Sequence, residues 1–318
     1  MNLRLSASNF FTIRLITTKI RKFRNPCSHT WGDPMYAEER RQRKGNRLTR
    51  GLGCLSQLVA LVFILLLIYY GSYLLLRGPI PARPVAIAHR GGAAYAAENT
   101  LAAFQSGIAA GADWLEMDVQ MSHDGHLVVI HDTTVDRTTN GSGRVADLTL
   151  AQLQALDAGS GEQIPSFAQV LELAQATNSA IMPEAKSPDL YPGLEMKIVQ
   201  ALDAAGYAER AVVQSFDDAS LAQLRELSPD LPLCALYGLG HFDLSGPQPA
   251  NAQAVCPMAE MVLLYPWMIR QAHDDGRTVY VWFGALEHPW TIRLLLEFGA
   301  DGVIADDPGL VVAALQSR

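Results

Sequence analysis

Cysteine is scarce in this chain: there are four in 318 residues, Cys27, Cys54, Cys234 and Cys256. That excludes a small domain stapled by a disulfide framework, and leaves one bridge, Cys234–Cys256, open to the C-terminal part. Cys54 precedes a long apolar run, whereas a lipid-modified cysteine would follow one, so it does not read as a lipid attachment point. Basic residues are scarce beyond residue 83. Residues 84–318 carry 11 Lys/Arg against 29 Asp/Glu, a balance of −18, while residues 1–83 carry 14 against 3, a balance of +11. The two parts are made for different surroundings. The acidic part lacks the clustered Lys/Arg that a phosphate backbone demands, which argues against a nucleic-acid partner. Between Gly51 and Leu76 charge is missing altogether.

Inside that gap, Leu58–Leu76 (LVALVFILLLIYYGSYLLL) is an uncharged run of 19 residues. As a helix it spans a hydrocarbon layer of ~30 Å. It is longer than the apolar region of a secretory signal and carries Tyr69, Tyr70 and Tyr73 toward one end. No clear small-residue cleavage pattern precedes Arg77. These features favour a transmembrane helix over a core helix or a displaced signal. The basic run ERRQRKGNRLTR (39–50) precedes it, and only Arg77 and Arg83 follow closely. The positive-inside rule then predicts a single-pass protein of the cell membrane, N-terminus cytoplasmic, with the large domain periplasmic or extracellular. The expected organisation is a basic cytoplasmic segment at 1–57, the span at 58–76, a proline-stiffened linker at 77–84 and one domain at 85–318. The first 34 residues show no periodicity, and Met35 is a second candidate start.

Within 85–318, short apolar runs alternate with helical patterns. Strands are expected near 85–89, 114–119, 127–131, 180–184, 211–215, 232–237, 261–264, 279–283 and 302–305. Helices are expected at 100–111, 148–156, 166–177, 193–206 and 220–228. Such alternation over this length predicts an α/β fold, a TIM-like (β/α)8 barrel. The segment EMDVQMSHDGHLVVIHD (116–132) departs from it. Asp124-Gly125 between two apolar runs signals a tight hairpin with both turn residues at positive φ. It makes 127–131 an inserted arm that folds His131 back toward Glu116 and Asp118.

In such a barrel, chemistry belongs at the C-terminal ends of the strands, and polar groups fall there. IAHRGG (87–92) ends the first strand with His89 and Arg90. Glu116 and Asp118 share one face of the second, and Glu184 ends a later one, with Lys186 two residues on. Three converging carboxylates repel unless a hard divalent cation, Ca²⁺ or Mg²⁺, lies between them. His89 and His131 suit acid–base work near neutral pH, and Arg90 and Lys186 suit a phosphate oxyanion. Together they describe metal-assisted phosphodiester cleavage.

AHRGGAAYAAENTLAAF, GADWLEMDVQMSHDGHLVVIHDTTVDRTTNGSG, IPSFAQVLELA, MPEAKSP, VVQSF, VYVW and GADGVIADDP resemble, in order, motifs of the glycerophosphodiester phosphodiesterase family. The likeness runs over about 85–315. It implies a TIM-like barrel that hydrolyses glycerophosphodiesters to an alcohol and glycerol phosphate. It also implies Glu116, Asp118 and Glu184 as metal ligands, His89 and His131 as acid and base, and Arg90 and Lys186 as phosphate holders. Three positions depart from the pattern. Ala97 stands for the proline before Glu-Asn-Thr, Trp282-Phe283-Gly284-Ala285 for Trp-Thr-Val-Asn, and ADDP (305–308) for Thr-Asp-x-Pro. Trp282 reads equally as a wall of the substrate pocket or as barrel core. Two rivals remain. A lysophospholipase D would use the same chemistry on an acylated substrate, suggested by the tether and the apolar MVLLYPWMI (261–269). A non-catalytic barrel binding lipid head groups would carry a broken histidine or carboxylate set, and here that set is complete.

Overall fold

The computed structural model describes residues 34–246 and 248–317; the expected segment 1–57 therefore lies outside it up to residue 33. A long helix, α1 (Pro34–Leu76), comes first. Strand–helix alternation follows: β1 (Val85–Ala88), α2 (Leu101–Ala109), β2 (Trp114–Met121), β3 (Leu127–Val129), α3 (Leu150–Gln154), α4 (Phe167–Thr177), β4 (Ala180–Ala185) and α5 (Leu194–Ala204). The second half holds β5 (Val213–Ser215), α6 (Asp218–Leu227), β6 (Leu233–Tyr237), β7 (Ala254–Pro257), α7 (Ala259–Leu264), α8 (Trp267–Asp274), β8 (Thr278–Trp282), α9 (Pro289–Phe298), β9 (Gly302–Ala305) and α10 (Pro308–Gln316).

The strands pair in the order β1-β9-β8-β7-β6-β5-β4-β2, and β1 closes on β2. All of those pairings are parallel, so the TIM-like barrel is present. β3 adds antiparallel to β2, as the hairpin predicted. The turn differs from expectation: only Gly125 takes positive φ (80°). The Ser122 hydroxyl donates to Asp124 Oδ1 at 2.6 Å and accepts the His126 N–H at 3.0 Å, which widens the turn. Helix starts are set by local chemistry. Ser166 with Gln169 and Thr149 with Gln152 form capping boxes on α4 and α3, satisfying amide donors that the first turn leaves unpaired.

One expected strand is misplaced. The apolar run at 261–264 belongs to helix α7, and the seventh strand is Ala254–Pro257. A short continuous apolar run fits a strand or a buried helix equally well. Here Met261, Val262, Leu263, Met268 and Ile269 are buried against the barrel, and of the aliphatic side chains in 261–269 Leu264 is the exposed one.

α1 contains one stretch, Leu55–Leu76, long and apolar enough to cross a membrane. From Leu67 the helix packs within the barrel's own compact unit. Tyr73 is 1% exposed, edge-on to Trp267 and Phe298, and its hydroxyl donates to the Phe298 carbonyl. Tyr69 and Tyr70 donate to the carbonyls of Leu264 and Leu263. The three tyrosines toward the end of the apolar run thus make protein contacts.

Inside the barrel, Ile87, Met182, Leu236, Tyr280 and Ile304 pack around a disulfide between Cys234 and Cys256. The bridge links neighbouring parallel strands over a separation of 22 residues. Closing a loop of that size stabilises by roughly 3 kcal/mol through the unfolded chain. The double variant Cys234→Ala/Cys256→Ala is expected to lose about that much in denaturant melts. Retention of full stability would show that the bridge does not form in the folded protein.

Candidate active site

A cavity of about 330 Å³ opens at the C-terminal ends of the strands. Its lining includes all eight residues singled out in the sequence: His89, Arg90, Glu116, Asp118, His131, Glu184, Lys186 and Trp282. The two walls differ. β1, β2, β4 and the end of the β2–β3 hairpin supply the charged one. Phe216, Leu236, Trp282, Phe283 and Ile304, from β5 onward, supply an apolar one.

The backbone after β1 explains IAHRGG. Arg90 sits at φ 49° and Gly91 and Gly92 at 85° and 112°, left-handed values that glycine adopts freely and arginine at a cost. The strained arginine is held on both sides: its N–H donates to Glu116 Oε2 at 2.7 Å, and its carbonyl accepts from Asn99 N. A side chain at Gly91 would strike Phe104, since its Cβ would lie 2.7 Å from that ring. The tight exit throws His89 and Arg90 into the cavity while Gly91 packs beneath them.

Glu116 and Asp118 project from one face of β2, and Asp118 lies in register with Glu184 of β4. One oxygen of each of Glu116, Asp118 and Glu184 lies within 4.8 Å of the others, and all three carboxylates are buried. Burial, and then the Asp118 charge, push Glu116 above the ordinary carboxylate range. Burial and its two acidic neighbours raise Glu184 in the same way, despite Lys186. Asp118 goes the other way. Burial opposes its charge, but Lys186, His131 and Arg90 outweigh burial and hold it ionised. Lys186 Nζ stands 3.0 Å from Glu184 and 3.4 Å from Asp118. Gln214 donates to Glu116 Oε1 at 3.1 Å, while its own buried Oε1 has no hydrogen-bond partner. Oxygen donors only, two carboxyls raised by burial and by their acidic neighbours, and an orphaned acceptor beside them fit a hard divalent cation.

The two histidines have matching supports. His89 Nδ1 lies 2.6 Å from Asp306 Oδ1, and His131 Nδ1 lies 2.7 Å from Asp132 Oδ1. Each ring therefore keeps Nε2 free. For His89, burial alone would lower the pKa, but the Asp306 hydrogen bond and the Glu116 charge win and raise it. For His131, burial, with Lys186 and Arg90 nearby, outweighs its acidic partners and lowers it. Arg90 Nη1 donates to Glu98 at 2.8 Å, while its buried Nε has no hydrogen-bond partner. Arg137 clamps Glu98 and Asp132 together through four hydrogen bonds of 2.6–3.1 Å.

Trp282 donates from Nε1 to the Cys256 carbonyl at 3.0 Å and meets Phe216 edge-on at 5.7 Å. It lines the cavity while packing against the barrel-interior cluster below. Sequence reasoning gave no role to Asp132, Asp306, Glu98, Arg137, Gln214 or Phe216. All but Arg137 stand within two residues of a strand-end or motif residue already named, and each lies in a quoted motif, so position was the available signal.

Residues 89–310 match the profile of the glycerophosphoryl diester phosphodiesterase family. The chain belongs to that family. It is therefore a phosphoric diester hydrolase. It is 35% identical to a glycerophosphodiester phosphodiesterase of Caldanaerobacter subterraneus over 243 residues, 72% of this chain and 97% of the relative. Among solved structures, a glycerophosphodiester phosphodiesterase of Agrobacterium tumefaciens is 26% identical with a TM-score of 0.62, covering 71% of this chain and 98% of that one. An Oleispira antarctica phosphodiesterase, solved with its product sn-glycerol-3-phosphate, shares the fold at 24% identity and a TM-score of 0.66, over 74% of this chain and 97% of that one.

Proposed function

We propose that this family member hydrolyses glycerophosphodiesters to an alcohol and glycerol 3-phosphate from a membrane-tethered position. The observation that carries the reading is the convergence of two carboxylate-supported histidines and a buried acidic triad in one cavity. The product held by the Oleispira phosphodiesterase supports the substrate class.

In this reading Glu116, Asp118 and Glu184 hold one divalent cation, Ca²⁺ or Mg²⁺. When bound, it would neutralise charge on the phosphate oxygens. Arg90, with its unsatisfied Nε, and Lys186 receive the phosphate from the other side. His89, raised toward the protonated form, gives a proton to the leaving alcohol oxygen. His131, lowered toward the neutral form, takes one from the nucleophile, either water or the substrate's adjacent glycerol hydroxyl. Trp282 and Phe216 wall the organic end of the substrate. The test uses the full chain in detergent micelles with glycerophosphocholine and added Ca²⁺ or Mg²⁺. Choline and glycerol 3-phosphate are the expected products, lost on chelation. Release of phosphocholine would mean that the wrong ester bond has been assigned.

The tether reading takes 58–76 as a single span with 1–57 cytoplasmic, 77–84 as linker and 85–318 as the exported catalytic domain. The basic flank before the span and the disulfide inside the barrel both support it, since such bridges persist in oxidising compartments. Protease added to intact cells or spheroplasts is expected to digest the 85–318 domain. Digestion only after lysis would reverse the orientation.

A further inference from the structure

The loop between β8 and α9 carries the sequence that departs most from the family pattern, and it holds a carboxylate with no assigned role. Glu287 Oε2 accepts the N–H of Asp306 at 2.7 Å, and Oε1 accepts the N–H of Asp307 at 2.8 Å. These two amides form the whole turn between β9 and Pro308, the first residue of α10. Asp306 is the residue whose side chain grips His89 Nδ1.

Glu287 is itself held from both sides. Upstream, the Glu260 carboxylate accepts the N–H groups of Gly284, Ala285 and Leu286 at 2.7–3.2 Å. A Cβ at Gly284 would lie 1.9 Å from Met258 Cε, so a side chain there would push the end of Met258 aside. Downstream, His288 caps α9, and the Thr291 hydroxyl donates to the carbonyls of Leu286 and His288. A frame this fixed aims one carboxylate at two backbone donors.

We propose that Glu287 is a positioning residue: it fixes the 306–307 turn so that Asp306 holds His89 in one tautomer and orientation. Glu287→Gln keeps the shape but turns an NH₂ toward one of the two N–H donors, so the paired contact is lost. Asp306 then loses its fixed position, and His89 its support. The inference rests on His89 acting in catalysis, and the test separates the two.

The experiment is a double-mutant cycle on the full chain with glycerophosphocholine, using Glu287→Gln, His89→Ala and the double variant. Glu287→Gln is expected to lower kcat roughly 10- to 100-fold with KM within about threefold, the pattern of a lost transition-state interaction. In the His89→Ala background it is expected to cost less than about twofold, because the residue it serves is gone. Equal losses in both backgrounds, or a change in KM alone, would overturn the proposal. Full turnover by His89→Ala would instead overturn the catalytic reading of His89. Glu287→Asp, which keeps the charge with a shorter reach, runs through the same cycle and is expected to show the same dependence on His89. If neither Glu287 variant folds, the residue is a structural support and the proposal fails.

Discussion

Replacing His89 or His131 by alanine is expected to slow turnover by roughly 10²–10⁴, the usual worth of a positioned proton donor or acceptor. The two losses should differ in kind. His89 is biased toward its protonated form and His131 toward its neutral form. The productive pair, His89 protonated and His131 neutral, is therefore the populated one between the two pKa values, which straddle the ordinary histidine value of about 6.5. The wild-type rate should rise with pH as His131 deprotonates and fall as His89 deprotonates. His131→Ala should lose the rising limb and His89→Ala the falling one. A substrate with a much better leaving group needs no proton from the acid, so it should rescue His89→Ala and do little for His131→Ala. Steady-state profiles on the two substrates decide this. Equal rescue of both variants, or rescue of His131→Ala alone, would reverse or dissolve the division of labour.

The same histidines mark how far the sequence reaches. His89 and Arg90 could be read because a strand that breaks at two glycines has to expose what precedes the break, and Arg90 does take the strained left-handed turn. Glu116 and Asp118 could be read because side chains two apart on a strand share a face, and Asp118 does stand in register with Glu184. Periodicity failed at 254–264. Ala254–Pro257 is only four residues long, and the stronger apolar run beside it lies on a buried helix. The histidines' partners failed differently. Asp306 lies 217 residues from His89, and Glu287 acts through backbone amides, which carry no side-chain signature. Contacts of that kind are set by how the barrel closes, with β1 beside β9. The tyrosines at the end of α1 make contacts that the sequence does not disclose, for a related reason. An amphipathic ring suits a membrane edge and a protein groove alike, and only the packing of Tyr73 between Trp267 and Phe298 distinguishes them.

Removing the carboxylates of the triad one at a time should separate their metal-binding role from their part in the fold. Asp118 is held ionised by Lys186, His131 and Arg90, with Lys186 Nζ at 3.4 Å and Arg90 Nε at 3.5 Å. Asp118→Asn leaves two half-buried cations each short of one of its two carboxylate partners, and in metal-free protein it is expected to cost about 2 kcal/mol. Glu184 is different. Burial and its acidic neighbours already hold it above the ordinary range, so near neutral pH a large share of it is uncharged without a cation. Glu184→Gln therefore removes little charge and little repulsion, and metal-free stability should be nearly unchanged. With the cation the two converge. At about 100 times its dissociation constant, a bound ion stabilises the folded chain by about 2.7 kcal/mol. Asp118→Asn, Glu184→Gln and Glu116→Gln should each lose most of that rise, along with roughly 10²–10³ in turnover, the scale of several kcal/mol of charge stabilisation. Thermal melts of the full chain in detergent, with chelator and then with Ca²⁺ or Mg²⁺, read the stability half without reference to activity. If all three variants melt higher on adding the ion, by as much as the parent does, the ion binds elsewhere, and the acidic triad is a buried cluster stabilised by its basic neighbours Lys186 and Arg90.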